Sequence, residues 1–177
     1  MSLRIIKQRG TSVRGFTLIE VAVVIAVIGM VMVIAIPRFP SSENEDLKSS
    51  ARILAATLRY VQDRAATSRT TYHLAFEPGT DSLRITEAGA DGSEKAPDDP
   101  LLRKQAIRER IVVADVMIPR LGKVSDGLLR LDIGSGGLRD LTVIHLRSPS
   151  GAAWTVMAFP AGGKVKVYEG YQEEALL

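Results

Sequence analysis

The stretch FTLIEVAVVIAVIGMVMVIAI, residues 16–36, constrains this chain more than any other feature. Its 21 residues carry one charge, Glu20, and no other run in the chain resembles it. As a helix rising about 1.5 Å per residue it covers roughly 31 Å, close to the hydrocarbon thickness of a bilayer. Helices inside soluble proteins are rarely so apolar for so long, so hydropathy predicts a membrane span. Arg4, Lys7, Arg9 and Arg14 precede the run and no basic residue interrupts it. That asymmetry predicts a cytoplasmic N-terminus and a head domain across the membrane. A secretory signal peptide has a shorter apolar core with a small-residue cleavage site behind it. Here the small residue, Gly15, stands in front of the run, so a cut there leaves the helix on the mature protein.

Glu20 is the anomaly. A carboxylate within an apolar span costs about 2.5–3.5 kcal/mol on insertion scales, which marks it as functional. Cleavage after Gly15 creates an amine on Phe16, four residues before Glu20. One constrained turn does not guarantee an internal pair. A neighbouring subunit's amine neutralises Glu20 well in a low-dielectric helix bundle, and such a contact favours one axial stagger between packed helices.

Arg14-Gly15-Phe16-Thr17-Leu18-Ile19-Glu20 resembles the class III signal of type IV pilins and type II secretion pseudopilins. That pattern is a basic leader ending in glycine, then phenylalanine, then a glutamate fifth in the mature chain, then an apolar run. The resemblance implies cleavage after Gly15 by a membrane prepilin peptidase and N-methylation of Phe16 by the same enzyme. It also implies pairing of Glu20 with a neighbour's N-terminal amine, and it makes Pro37 the helix-kinking proline often found there. Leu138–Tyr168 is similar to the closing strands of the general secretion pathway protein H family and the related FimT and FimU minor pilins. Gly151, Trp154 and Val156 fit its G-x-x-W-x-V strand, and Gly163, Val165 and Val167 its last strand.

The rest of the chain reads as one modest head domain. Pro37 and Pro40 interrupt the helix, since proline lacks the N–H and clashes with the preceding turn. Ser41 to Asp46 supply caps and first-turn acids. Leu47, Ala51, Leu54, Leu58, Val61 and Ala65 then form one apolar stripe that packs on the domain's own sheet. From Thr71 the period changes to two. Strands are expected at 72–77 and 82–88 around the turn Pro78-Gly79-Thr80-Asp81, then at 110–118, 128–133, 141–147, 153–159 and 164–169. Residues 89–110 read as a long polar loop. The expected fold is α+β and pilin-like. A long N-terminal membrane-anchoring helix continues into an amphipathic helix packed on antiparallel β-sheet. The expected divisions are a leader peptide (1–15), a transmembrane and assembly helix (16–40), an amphipathic helix (41–70) and a β-rich periplasmic head (71–177).

No catalytic constellation is legible. The chain has no cysteine, which excludes disulfides, zinc–thiolate sites and thiol nucleophiles. His73 and His145 lie in different predicted strands with no spaced carboxylate or cysteine to complete a metal site. Gly134-Ser135-Gly136-Gly137 looks like a phosphate cradle but lacks the following lysine and helix start, so it reads as a hairpin turn. Asp91, Glu94, Asp98 and Asp99 do not match a calcium-loop spacing and read as a solvated loop. Arg103, Lys104, Arg108, Arg110, Arg120, Lys123 and Arg130 are diluted by acids and interleave no aromatic, so a mixed surface outranks a nucleic-acid face. The net charge of +3 falls near neutral once the basic leader is removed.

The sequence therefore predicts no enzyme and no cofactor. It predicts a minor pseudopilin of a type II secretion system, in the bacterial inner membrane before assembly into a pseudopilus. Its expected partners are other pseudopilin or pilin subunits, the prepilin peptidase/methyltransferase and membrane lipid, with nucleic acid not expected. Two alternatives stay open: a minor type IV pilin in adhesion, motility or DNA uptake, and a single-pass periplasmic enzyme. For a DNA-binding pilin, neutralising Arg103, Lys104 and Arg108 should abolish retention on DNA.

Overall fold

The computed structural model describes residues 16–35, 42–89, 91–160 and 162–173. The chain divides into two units, Met1–Pro40 and Ser41–Leu177. In the first, α1 spans Leu18–Ala35. β-Branched residues dominate it, and its side chains from Leu18 to Met32 are exposed, apolar on every side except at Glu20. Among the described residues no helix is long and apolar enough to cross a membrane. α1 has 18 residues, about 27 Å at 1.5 Å per residue, against a bilayer core of about 30 Å. The apolar run extends past α1 to Ile36, which lies outside the described residues, as do the expected cleavage residue Gly15 and the expected kink at Pro37.

The second unit opens with α2, Ser42–Ser68. Glu43 and Glu45 stand in its first turn, where carboxylates favour the positive end of the helix dipole. The predicted stripe is fully buried, and Ala55 joins it. The helix stops where Arg69 turns left-handed at φ 55°, an unusual conformation for a side-chain-bearing residue and the common way to end a helix.

Among the described residues nine strands follow: β1 (Tyr72–Phe76), β2 (Leu83–Ala88), β3 (Glu94–Lys95), β4 (Val112–Ile118), β5 (Gly122–Val124), β6 (Leu129–Ile133), β7 (Thr142–Arg147), β8 (Ala153–Ala158) and β9 (Val165–Glu169). They form two antiparallel sheets, not one, ordered β3-β2-β1-β6 and β5-β4-β7-β8-β9. α2 packs chiefly on β8 and β9. Both sheets and the α2 stripe supply one core, with Phe76, Leu131, Ile144 and Val156 among its members. The fold is α+β, a helix on antiparallel sheet, as the periodicities predict.

Residues 91–110, read from the sequence as part of a long polar loop, are more structured than their composition suggests. Pro100–Arg103 forms a 3₁₀ turn capped by Asp99, whose side chain accepts from the Leu101 N–H. Leu102, Ala106 and Ile107 are buried and pin the segment to the core. These anchors follow no period, so patterning does not reveal them. The Gly134–Gly137 stretch is a turn closed by a bond from the Gly137 N–H to the Gly134 carbonyl, with no helix behind it.

Candidate functional site

Three places could carry function: the start of α1, the basic residues around 103–108, and two His–carboxylate clusters on the sheets. At the first, Thr17 is the N-cap of α1. Its Oγ1 accepts from the Glu20 N–H at 3.3 Å, and its carbonyl also lies 3.0 Å from that nitrogen. Glu20 is thus third in the helix. Thr17-Leu18-Ile19-Glu20 is the sequence of a capping box, with Phe16 and Val21 at the two positions of a hydrophobic staple. The local chain defines this helix start without help. The Glu20 carboxylate faces the partial positive charge of its own helix N-terminus, yet it is exposed and makes no salt bridge among the described residues. Phe16, 81 % exposed, stands immediately before the cap.

The basic residues do not assemble one phosphate-binding face. The Arg103 Nε donates to the Pro97 carbonyl at 2.7 Å and braces the loop. Lys104 lies beside Leu102 and Gln105 at the edge of a shallow cleft. Arg108 turns to the start of α2, meeting Asp46 at 3.3 Å and Ser49 at 3.3 Å. Arg120 pairs with Asp140, Lys123 with Asp115, and Arg130 with Glu94 and Asp132. The acidic loop is equally committed. Asp91 binds the N–H and hydroxyl of Ser93, Glu94 meets Thr86 and Arg130, Asp98 meets Lys95, and Asp99 accepts from the Tyr60 hydroxyl. The Tyr60 hydroxyl and the Leu101 N–H hold the Asp99 carboxyl below the usual carboxylate range.

His73 and His145 lie on different sheets, and each has found a carboxylate across one strand. His73 Nδ1 is 2.7 Å from Asp132 Oδ1. Burial alone would raise the Asp132 carboxyl, but His73 and Arg130 outweigh it and lower it. His145 is fully buried, with Nδ1 2.6 Å from Asp115 Oδ1 and Nε2 3.2 Å from the Gln172 carbonyl. A carbonyl only accepts, so in the contact with Gln172 it is the imidazole that donates. Tyr171 stacks on the imidazole at 3.7 Å and donates to Asp115 Oδ2 at 2.9 Å. Burial, together with that bond, raises the Tyr171 hydroxyl, with Lys123 opposing.

A β-bulge builds this second cluster. Register shifts between Val113 and Asp115, so Val113 and Val116 both face the core while Asp115 turns to the opposite face beside His145. Sequence reasoning missed the cluster because strict alternation puts Asp115 on the same face as Val113. What the cluster does is hold the C-terminal residues Gly170–Glu173 across the sheet. Thr155 reinforces it by donating to the Gly170 carbonyl and accepting from the Gln172 N–H. No residue of either cluster stands ready as an unengaged base beside a nucleophile. Among the described residues no group of His, Cys, Asp and Glu could hold a metal ion.

Residues 11–36 match the family described as the prokaryotic N-terminal methylation motif. The chain therefore carries a type IV pilin-like prepilin signal. No curated protein and no solved structure matches the chain.

Proposed function

We propose that the chain is a minor pseudopilin of a type II secretion system, of the H type, held in the inner membrane until it joins a pseudopilus. The methylation motif at residues 11–36 carries this reading. Prepilin peptidase cuts after Gly15 and methylates Phe16. The apolar helix then anchors the mature chain, with its N-terminus cytoplasmic and its head periplasmic.

Assembly follows from the chemistry of the helix start. Thr17 fixes the first turn, and among the described residues Glu20 has no ion-pair partner beyond the helix dipole. The cationic N-terminus of a neighbouring subunit offers the missing partner. In a low-dielectric bundle that pair is strong enough to select one stagger over others. The head supports the narrower reading as a subunit of H type. β8 and β9 stand where the resemblance places its closing strands, with Val156 and Val165 buried, and Gly151 turns the chain at φ 88° ahead of β8.

The test is deletion in the host, complemented with the wild-type chain and with Glu20→Leu. The proposal expects export of folded periplasmic proteins to fail in the deletion and the Leu variant, while surface pili persist. Normal export with lost pili, twitching or DNA uptake would assign the chain to a type IV pilus instead.

A further inference from the structure

Two exposed apolar side chains of the head meet in one place. Among the described residues of the second unit, four large apolar side chains are exposed: Ile53, Leu101, Leu121 and Leu128. Singly such residues need no explanation, but contiguous ones mark contact surfaces. Ile53 (39 % exposed) and Leu101 (55 % exposed) line one groove of about 260 Å³. Ile53, Ala56, Thr57 and Tyr60 are spaced by three and four residues, so they form one ridge along α2, set off from its buried stripe. The other wall is the 3₁₀ turn, where Leu102 is buried and Leu101 stays out. Tyr60 donates its hydroxyl to Asp99, the cap of that turn, which fixes ridge and wall to each other. The groove is therefore preformed.

This groove runs into a basic cleft. Leu102, Lys104 and Gln105 line both, and the cleft, of about 410 Å³, adds Arg84, Arg103 and Asp81. Three cations stand there against one carboxylate, and Asp81 already accepts from Gln105 at 3.1 Å. Among the described residues Arg84, Arg103 and Lys104 form no salt bridge, and Arg103 donates only its Nε, to the Pro97 carbonyl. All three are exposed. An apolar groove that continues into an unneutralised basic cleft fits a segment with acidic residues beside apolar ones, and repels a basic one.

Such a segment stands in this chain. Glu173-Glu174-Ala175-Leu176-Leu177 sets two carboxylates just before two leucines, with no basic residue among them. Its start is held away from α2. Thr155 and His145 bind Gln172, and both alternate with core residues such as Ile144 and Val156, so they face away from the core that α2 covers. The segment therefore leaves from the opposite face of the five-stranded sheet, and the groove of its own chain is not the one it meets. We infer that the groove and its basic cleft bind residues 173–177 of a second copy, with the glutamates against Arg84, Arg103 and Lys104 and the leucines against Ile53 and Leu101. Groove and segment are different surfaces, so the contact is head-to-tail and can repeat along a row of copies. It rests on the head unit alone and does not depend on how the chain is anchored or processed.

The test is fluorescence anisotropy of a fluorescein-labelled peptide of residues 169–177, EGYQEEALL, titrated with the full chain in detergent micelles and read against empty micelles. Binding should saturate with a Kd on the order of 100 μM and tighten as salt falls. Leu101→Glu and Lys104→Glu alter exposed side chains, and each should weaken binding about tenfold or more. A peptide carrying Glu173→Lys and Glu174→Lys should fail to bind the wild type, and should bind the Lys104→Glu chain better than the parent peptide does. A misfolded variant would not give that reversal. Absent binding, or binding unmoved by both variants, would overturn the site. Undiminished binding of a peptide with Leu176→Ala and Leu177→Ala would overturn the role of the groove. A chain ending at Glu173 that binds the peptide about tenfold tighter than the full chain, at the lowest chain concentrations too, would show each groove filled by its own segment and overturn the second copy.

Discussion

Glu20 illustrates how one side chain can be both locally comfortable and globally exposed. Its own N–H is capped by Thr17 and its charge suits a helix N-terminus, so the helix start is stable without a neighbour. In the proposed function the charge has to enter an apolar environment. Glu20→Leu should therefore make membrane insertion easier by about 2.5–3.5 kcal/mol while abolishing co-purification with other subunits. A glycosylation-mapped insertion assay and a pull-down read the two effects separately. Wild-type pull-down by the Leu variant would remove the assembly role. In the head, Asp115 sits in a buried network that truncation should break. Asp115→Ala leaves His145 buried without its carboxylate and should cost about 3–5 kcal/mol, whereas Tyr171→Phe keeps the stack, loses one bond and should cost about 1 kcal/mol. Urea midpoints at constant slope measure both, and equal midpoints for the two variants would contradict the network.

Elements differ in how plainly the sequence announces them. α2 was legible because its stripe repeats at helical spacing over five turns, and every stripe residue is buried. Leu58→Ala there should cost about 2–5 kcal/mol in the same urea measurement. β5 and β3 are three and two residues long, too short to show alternation. β7 is buried on both faces, so its pattern says that it is internal but not which sheet holds it. The 97–103 segment depends on Asp99, and its pH response follows from that residue's lowered pKa. A carboxyl with a depressed folded pKa stabilises the fold above the unfolded chain's titration range and loses that contribution as pH falls through its own lower range. Protection of the Leu101 amide, which donates to Asp99 Oδ1 at 2.9 Å, should therefore fall in acid before the core amides lose protection. Uniform loss across the head would argue against a separate role for Asp99.

At the scale of the whole molecule, the sequence spoke most clearly where physics is one-dimensional. Hydropathy finds an apolar run, and periodicity finds a buried face. The pairing of two sheets around one core depends on register, and register in β4 depends on a bulge that alternation cannot foresee. For the same reason the His145–Asp115–Tyr171 cluster emerges only from the fold, while the processing signal is written in consecutive residues. That signal is the central claim, and intact mass tests it most directly. The full chain is expressed with and without an active prepilin peptidase and each product is weighed. The account predicts loss of residues 1–15 and gain of one methyl group on Phe16, only when the peptidase is present. An unchanged mass beside an active peptidase would contradict it, leaving Glu20 as an unexplained charge in an apolar helix.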